Sequence, residues 1–330
     1  MSVPFSIQFL PVENLSALAA DENVLAAIRF ASIASMEDTD KPLFSVGLPN
    51  LALSNIAEVW YSDTPVSTAT TDGIQLAWND DILFGHLLFD EAQHENTALA
   101  TQYAYELILK TSQEHSYPHL LRIWNYLDSI NKDEQGLLHY QDFCLGRQQI
   151  LDNEGHWDYV PPASTAIGTS CGGLQIYFLA AKKPGVELKN PRQSSDFLYP
   201  RLYGPVRPTF SRALVKKWKD TTHLYISSTS SIVGYEKQHI GQVQLQVDEV
   251  LNNIETLIKH AVEKKNSPIN SLTDLSYLKV YLCDLFMLSV TEELLIRRYG
   301  RQLPPVLFLR GDVCETGMLI EIEAAYISEE

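Results

Sequence analysis

Apolar and polar positions along the chain recur with two periods, one of strands and one of helices. In the first half, apolar runs predict strands at 43–51, 57–62 and 82–89, and 96–111 spaces its apolar residues as one face of a helix. A strand at 120–127, a helix at 137–151 and strands at 165–171 and 174–181 follow. The second half reads as strands at 211–218 and 223–233, then a long helix, Val243–Lys265, with Leu245, Val250, Ile254, Ile258 and Val262 inward. A strand at 277–283, a helix at 286–299 and strands at 306–309 and 319–325 complete it. Apart from one extra leading strand in the first half, both halves run strand-strand-helix-strand-helix-strand-strand, which predicts duplication of an α/β unit. The expected units are residues 1–190 and 191–330. Between them, 182–208 carries five prolines together with tyrosines and arginines, the composition of an ordered loop that lines something.

The last predicted strand, Leu319-Ile-Glu321-Ile-Glu323-Ala-Ala, alternates apolar and acidic residues, so Glu321 and Glu323 share a face. Two carboxylates are costly to bury, and a solvated surface strand would also explain them. Arg310 and Cys314, expected on the partner strand, tip the reading towards chemistry. They would set a fixed cation and a polarisable thiol near a carboxyl whose proton affinity burial can raise. That combination suits an acid acting on an anionic substrate.

Charge narrows the partners. A formal net charge of -16 argues against nucleic acid and against anionic membrane surfaces. An anionic metabolite could still be held by local arginines, and Arg192, Arg201, Tyr203, Arg207 and Arg212 crowd one stretch of a chain with only 25 basic residues. Surface ion pairs are the plainer explanation for any one of them. The run 226–234 places five small hydroxyl residues on a strand, as a ligand-facing surface or a hydroxyl-rich edge would. Arg147, late in a predicted helix, fits either dipole compensation or a site. A phosphate-binding glycine loop is not read, since Cys171-Gly172-Gly173 is too short for one. Four scattered cysteines suggest neither zinc nor disulfides and fit a cytoplasmic protein, and neither a signal peptide nor a membrane-spanning run is read.

Several ordered segments together carry a resemblance. They are Arg122-Ile-Trp-Asn-Tyr, Phe143-Cys-Leu-Gly-Arg147, Ala166-Ile-Gly168, Asn190-Pro-Arg192-Gln, Tyr199-Pro-Arg201-Leu-Tyr203-Gly, Phe210-Ser-Arg212-Ala, the hydroxyl run to Gly234, and Leu309-Arg310-Gly-Asp-Val-Cys314. From about Arg122 onward the chain resembles the chorismatase family, once labelled pteridine-dependent dioxygenase-like. The C-terminal half also resembles the YjgF/Rid imine deaminases, although Pro304-Pro305-Val306 lacks the arginine those enzymes carry there. The resemblance implies an α/β (α+β) fold of two YjgF/chorismate-mutase-like units, with mixed sheets and helices packed on one face. It implies a cofactor-independent and metal-independent enzyme, monomeric or trimeric, that removes the enolpyruvyl group of chorismate as pyruvate. Glu321 would protonate the vinyl ether, with Cys314 beside it, and Arg310, Arg201, Tyr203, Ser230 and Arg147 would bind substrate. Product choice would turn on Ser230 and Cys314. The family usually has alanine or glycine at the first position, and the cysteine accompanies the aromatising branch, so the cues conflict. The reading is 3-hydroxybenzoate, with or without 4-hydroxybenzoate, and hydrolysis to a dihydroxycyclohexadiene carboxylate is the alternative. An enamine or imine deaminase and a non-catalytic metabolite-binding module are the remaining readings.

Overall fold

The computed structural model describes residues 3–52, 55–89, 94, 96–134, 136–153, 160–194, 209–265 and 267–328. The chain opens with β1 (Ser6–Pro11), β2 (Val24–Phe30), β3 (Ser35–Met36), β4 (Leu43–Val46) and β5 (Ile56–Tyr61), followed by β6 (Ser67–Thr71), β7 (Ile74–Trp78) and β8 (Ile82–Phe89). Next come α1 (Thr97–Glu114), β9 (His119–Asp128), a ribbon of β10 (Asp133–Glu134) and β11 (Leu137–Leu138), α2 (His139–Asn153), β12 (Ala163–Thr169) and β13 (Leu174–Ala181). The remainder is β14 (Val186–Leu188), β15 (Ala213–Lys217), β16 (Thr222–Thr229), a ribbon of β17 (Ile232–Val233) and β18 (Glu236–Lys237), α3 (Val243–Lys265), β19 (Tyr277–Leu282), α4 (Leu288–Tyr299), β20 (Val306–Arg310), β21 (Asp312–Val313) and β22 (Ile320–Ile327).

Three sheets result, ordered β1-β5-β2-β4-β3, β21-β12-β9-β13-β8-β7-β6 and β14-β15-β16-β22-β19-β20. The second and third are mixed, with β12 parallel to β9 and β20 parallel to β19. Their inner faces meet in one shared core that includes Trp60, Phe84, Trp124, Tyr177, Tyr225 and Tyr281. The outer face of the seven-stranded sheet packs on residues of α1 and α2, and that of the six-stranded sheet packs on α3 and α4. Strands covered on both faces must be apolar on both, which is why β8 and β13 read as continuous apolar runs and not as alternation. Asn96 caps α1 by accepting from Leu99 N at 2.9 Å, and α4 stops where Gly300 takes φ 64°. Among the described residues no helix is long and apolar enough to cross a membrane.

The mixed α/β architecture with helices on one face of each large sheet is as expected, and β8, β13 and α3 have the predicted bounds. The structure departs from the reading in four respects. First, β1, β2, β6 and β7 were not anticipated, and β1 to β5 form a separate sheet. Second, β19 lies between β20 and β22, so the strand carrying Arg310 is not paired with the strand carrying the two glutamates. Strand order is a nonlocal property that periodicity does not encode. Third, Leu245 is exposed, and Val247, Leu251, Leu257 and Ala261 join Val250, Ile254 and Ile258 on the buried face of α3. Fourth, α2 starts only at His139, because Leu137 and Leu138 belong to the ribbon, and Leu285–Met287 is a 3-10 turn before α4.

The core also holds ions. Glu323 of β22 accepts from Arg122 Nη2 (2.9 Å), Thr165 Oγ1 (2.5 Å), Tyr281 OH (2.9 Å) and Trp124 Nε1 (2.8 Å). Lys279 Nζ stands 3.4 Å from Glu323 and 2.7 Å from Glu58 of β5, whose other oxygen accepts from Trp60 Nε1 at 2.8 Å. Each sheet thus contributes a charge to one buried cluster.

Two buried histidines bind the sheets further. His86 stacks on Phe44 at 3.6 Å between the first and second sheets, with Gln75 Oε1 3.2 Å from Nδ1 and Gln175 Nε2 3.0 Å from Nε2. His223 lies against Phe5, its Nδ1 3.0 Å from Tyr225 OH. Burial pulls both down from the ordinary histidine value to about 3. Below about pH 6.5 the unfolded chain protonates these rings while the folded protein does not, so stability should fall as pH drops towards 3. At about pH 4.5 each ring should cost about 2–3 kcal/mol. Urea unfolding of the wild type should show this slope and His86→Gln should flatten it; a stability independent of pH between 6.5 and 4.5 would contradict the assignment.

Candidate active site

The site forms where β22, β16, β12 and α2 converge. On β22, Ile320, Ile322 and Ala324 point to the helices, so Glu321 and Glu323 turn to the inner side. On β16 the pairing with β22 slips between Ile226 and Thr229, a bulge that sets extra backbone into the hydroxyl run. Ser227 is drawn away, accepting from Ser164 N (2.8 Å) and donating to Ser211 O (2.6 Å). Ser228 and Ser230 instead hydrogen-bond Glu321, Ser230 Oγ donating to Oε1 at 2.7 Å. The Cys314 thiol stands 3.8 Å from the same oxygen.

Around Glu321 the cavity is lined by Tyr140 and Arg147 of α2, Ser164 and Ala166 of β12, Phe210 and Arg212 ahead of β15, and Ile232, Cys314 and Glu315. Arg147 is buried over the Phe143 ring at 5.0 Å, and Arg212 lies over Phe210 at 4.9 Å. The Nε of each arginine is buried and has no hydrogen-bond partner among the described residues. Glu315 is tied to Lys237 at 2.7 Å.

The two carboxyls of β22 diverge electrostatically. Burial raises Glu321 above the usual carboxylate range; the Ser228 and Ser230 hydroxyls pull it partway back. Burial would raise Glu323 as well, but Lys279 and Arg122 beside it hold it below that range. Burial also raises the Cys314 thiol, with the carboxyl of Glu321 adding to it, so Cys314 is a neutral, soft neighbour. One strand face therefore carries a carboxyl whose proton affinity burial raises, in a cavity, and a carboxyl that cations hold low, in the core.

Of the residues the sequence singled out, Glu321, Cys314, Ser230 and Arg147 come together. Arg310 does not: its guanidinium is half exposed and pairs with Asp312 at 2.7 Å. Arg201, Tyr203 and Arg207 lie outside the described residues, and Arg192 pairs with Glu249 away from the cavity. Arg212 belonged to the noted arginine cluster and Ser228 to the hydroxyl run. Tyr140 had been assigned to packing, and Ser164 and Glu315 carried no signal in the sequence. Among the described residues no group of three or more His, Cys, Asp and Glu side chains is placed to hold a metal.

The cavity thus sets a buried carboxyl of raised proton affinity beside two guanidinium groups, which suit an anionic ligand. Residues 58–180 match the family model of the N-terminal region of FkbO/Hyg5-like chorismatases. A chorismatase from Streptomyces rapamycinicus is 32% identical, covering 98% of this chain and 99% of its own length. A 3-hydroxybenzoate synthase from Streptomyces hygroscopicus is 30% identical, covering 91% of each chain. A crystal structure of a chorismatase superposes with TM-score 0.87 at 29% identity and covers 99% of both chains. The chain belongs to the chorismatase family, and the likeness extends well ahead of Arg122, where the sequence motifs had begun.

Removing the Ser230 hydroxyl removes a donor that favours the charged form of Glu321. Ser230→Ala should therefore raise the Glu321 titration further, read by NMR on 13C-labelled glutamate; a lowered midpoint would contradict the role given to Ser230.

Proposed function

We propose that this chorismatase-family protein cleaves chorismate to pyruvate and 3-hydroxybenzoate, with Glu321 as the general acid. The observation that carries the reading is the burial of Glu321 in a cavity with Ser230, Cys314 and two arginines, which raises its proton affinity. Protonating a vinyl ether carbon near neutral pH needs an acid that still holds its proton there, and desolvation supplies it. Glu321 gives its proton to the enolpyruvyl methylene and an oxocarbenium ion forms. The bond from the ring to the ether oxygen breaks and that oxygen leaves as the keto oxygen of pyruvate, while the neighbouring hydroxyl oxygen takes its place on the ring; loss of a ring proton aromatises the ring and restores the proton to Glu321. Atoms balance without water, since chorismate divides into pyruvate and hydroxybenzoate.

Arg147 and Arg212 are proposed to hold the two substrate carboxylates, with Arg201 and Tyr203 as further binding residues and Cys314 and Ser230 beside the reacting ether. Their free, buried Nε groups support this use, since an unpaired donor in a dry site favours an anionic partner. Arg310, committed to Asp312, is given no part in binding. The aromatic product is supported by the Streptomyces hygroscopicus relative named 3-hydroxybenzoate synthase. Water addition would give a dihydroxycyclohexadiene carboxylate instead, and the Ser230 hydroxyl is the feature that favours this second reading. The two-unit division at 190/191 is part of the same proposal, with β14 crossing it to edge the six-stranded sheet.

Purified protein and chorismate, with no metal added, should release pyruvate in a lactate dehydrogenase-coupled assay, and chromatography should show 3-hydroxybenzoate. Glu321→Gln should fold normally and lose on the order of 10² to 10⁴ in kcat. No pyruvate from the wild type, or full activity in Glu321→Gln, would end this reading. Arg147→Met should raise KM at least tenfold, the loss expected when a charged partner is deleted; an unchanged KM would take Arg147 out of binding.

A further inference from the structure

The ionic cluster of the core lies on the same strand face as the acid, two residues along β22. Same-face neighbours on a strand are about 7 Å apart. The cluster comprises two carboxylates, Glu58 and Glu323, and two cations, Arg122 and Lys279, so its formal charge sums to zero, and all four are buried. Stability alone does not account for it, because an apolar cluster of similar volume commonly folds as well as buried ion pairs do. What the balance does affect is the field at Glu321.

The groups facing Glu321 come from every neighbouring element. Ser228 and Ser230 face it from β16, and Ser164 and Ala166 from β12; Tyr140 and Arg147 come from α2, Arg212 from the segment before β15, and Cys314 and Glu315 from the turn after β21. On β19, Tyr281 is in register with Glu321, and Lys279 is in register with Glu323. The cavity itself holds two guanidinium groups against one other carboxyl, Glu315. A further unbalanced cation behind the acid would add to the pull on its proton.

We propose that Glu58 and Glu323 are positioning residues that cancel the field of Arg122 and Lys279, so that Glu321 keeps its proton until substrate arrives. The inference rests on the role of Glu321 as the acid. The cations and carboxylates join the three sheets in pairs, and the pairing makes that joint electrically silent at the site. A unit charge about 7 Å away, at an effective dielectric of about 20, moves a titration by roughly one to two pH units.

The test reads the Glu321 titration by 13C-glutamate NMR without substrate, and the upper pH limb of kcat with chorismate. Glu323→Gln leaves the cluster with one excess positive charge and should move both readouts to lower pH by about one unit. Lys279→Gln leaves one excess negative charge and should move both upward. Loss of packing alone gives no such opposition of sign. Movement of both variants in the same direction, or of neither, overturns the proposal. If Glu323→Gln does not fold, Glu58→Gln makes the same charge change from another sheet and should also move the titration down. A wild type with no turnover overturns the functional reading alone, since the NMR midpoints are measured without substrate.

Discussion

The structure turns on one strand face that holds two carboxyls in opposite protonation environments. Glu323 and Glu321 are two residues apart on β22, both buried. Glu323 accepts hydrogen bonds from Arg122, Trp124, Thr165 and Tyr281 and lies beside Lys279, so burial is offset by cations and donors. Glu321 has hydroxyls and a thiol as its nearest polar neighbours, so burial prevails and raises its proton affinity. The first carboxyl links the seven- and six-stranded sheets, with Lys279 passing the link on to Glu58 of the third, and the second faces the cavity.

The same constraint explains why the site lies where it does. The helices cover the outer faces of the two large sheets and leave the inner faces to pack on each other. Polar groups there need partners from another sheet, and Ser227 shows this by linking β16 to both Ser164 and Ser211. The bulge in β16 then frees Ser228 and Ser230 for the acid. Arg147 reaches the cavity from α2 because that helix packs on the seven-stranded sheet whose strand β12 forms one wall.

Much of this was legible in local pattern. Period 3.6 over Val243–Lys265 and the continuous apolar runs of β8 and β13 gave correct bounds, because long amphipathic or doubly covered segments carry strong signals. The alternation of β22 marked both glutamates, and the hydroxyl run marked Ser230. Pairing across sheets was not legible. The sequence neighbourhood of Arg310 and Glu321 suggested contact, yet β19 separates their strands and Asp312 takes the guanidinium. Glu58, Arg122 and Lys279 come from three distant segments, and no spacing rule connects them to Glu323. The strand β1 alternates only weakly, and β2, a seven-residue apolar run buried like β8, was passed over although its pattern is of the same kind.

The most direct test of the account is infrared spectroscopy of the wild type and Glu321→Gln at pH 7, with glutamate carboxyls labelled by 13C. A protonated-carboxyl band that shifts with the label in the wild type and is missing in the variant is the predicted result. Loss of only an ionised-carboxylate band on substitution would show that Glu321 has already given up its proton at neutral pH, and would contradict the account.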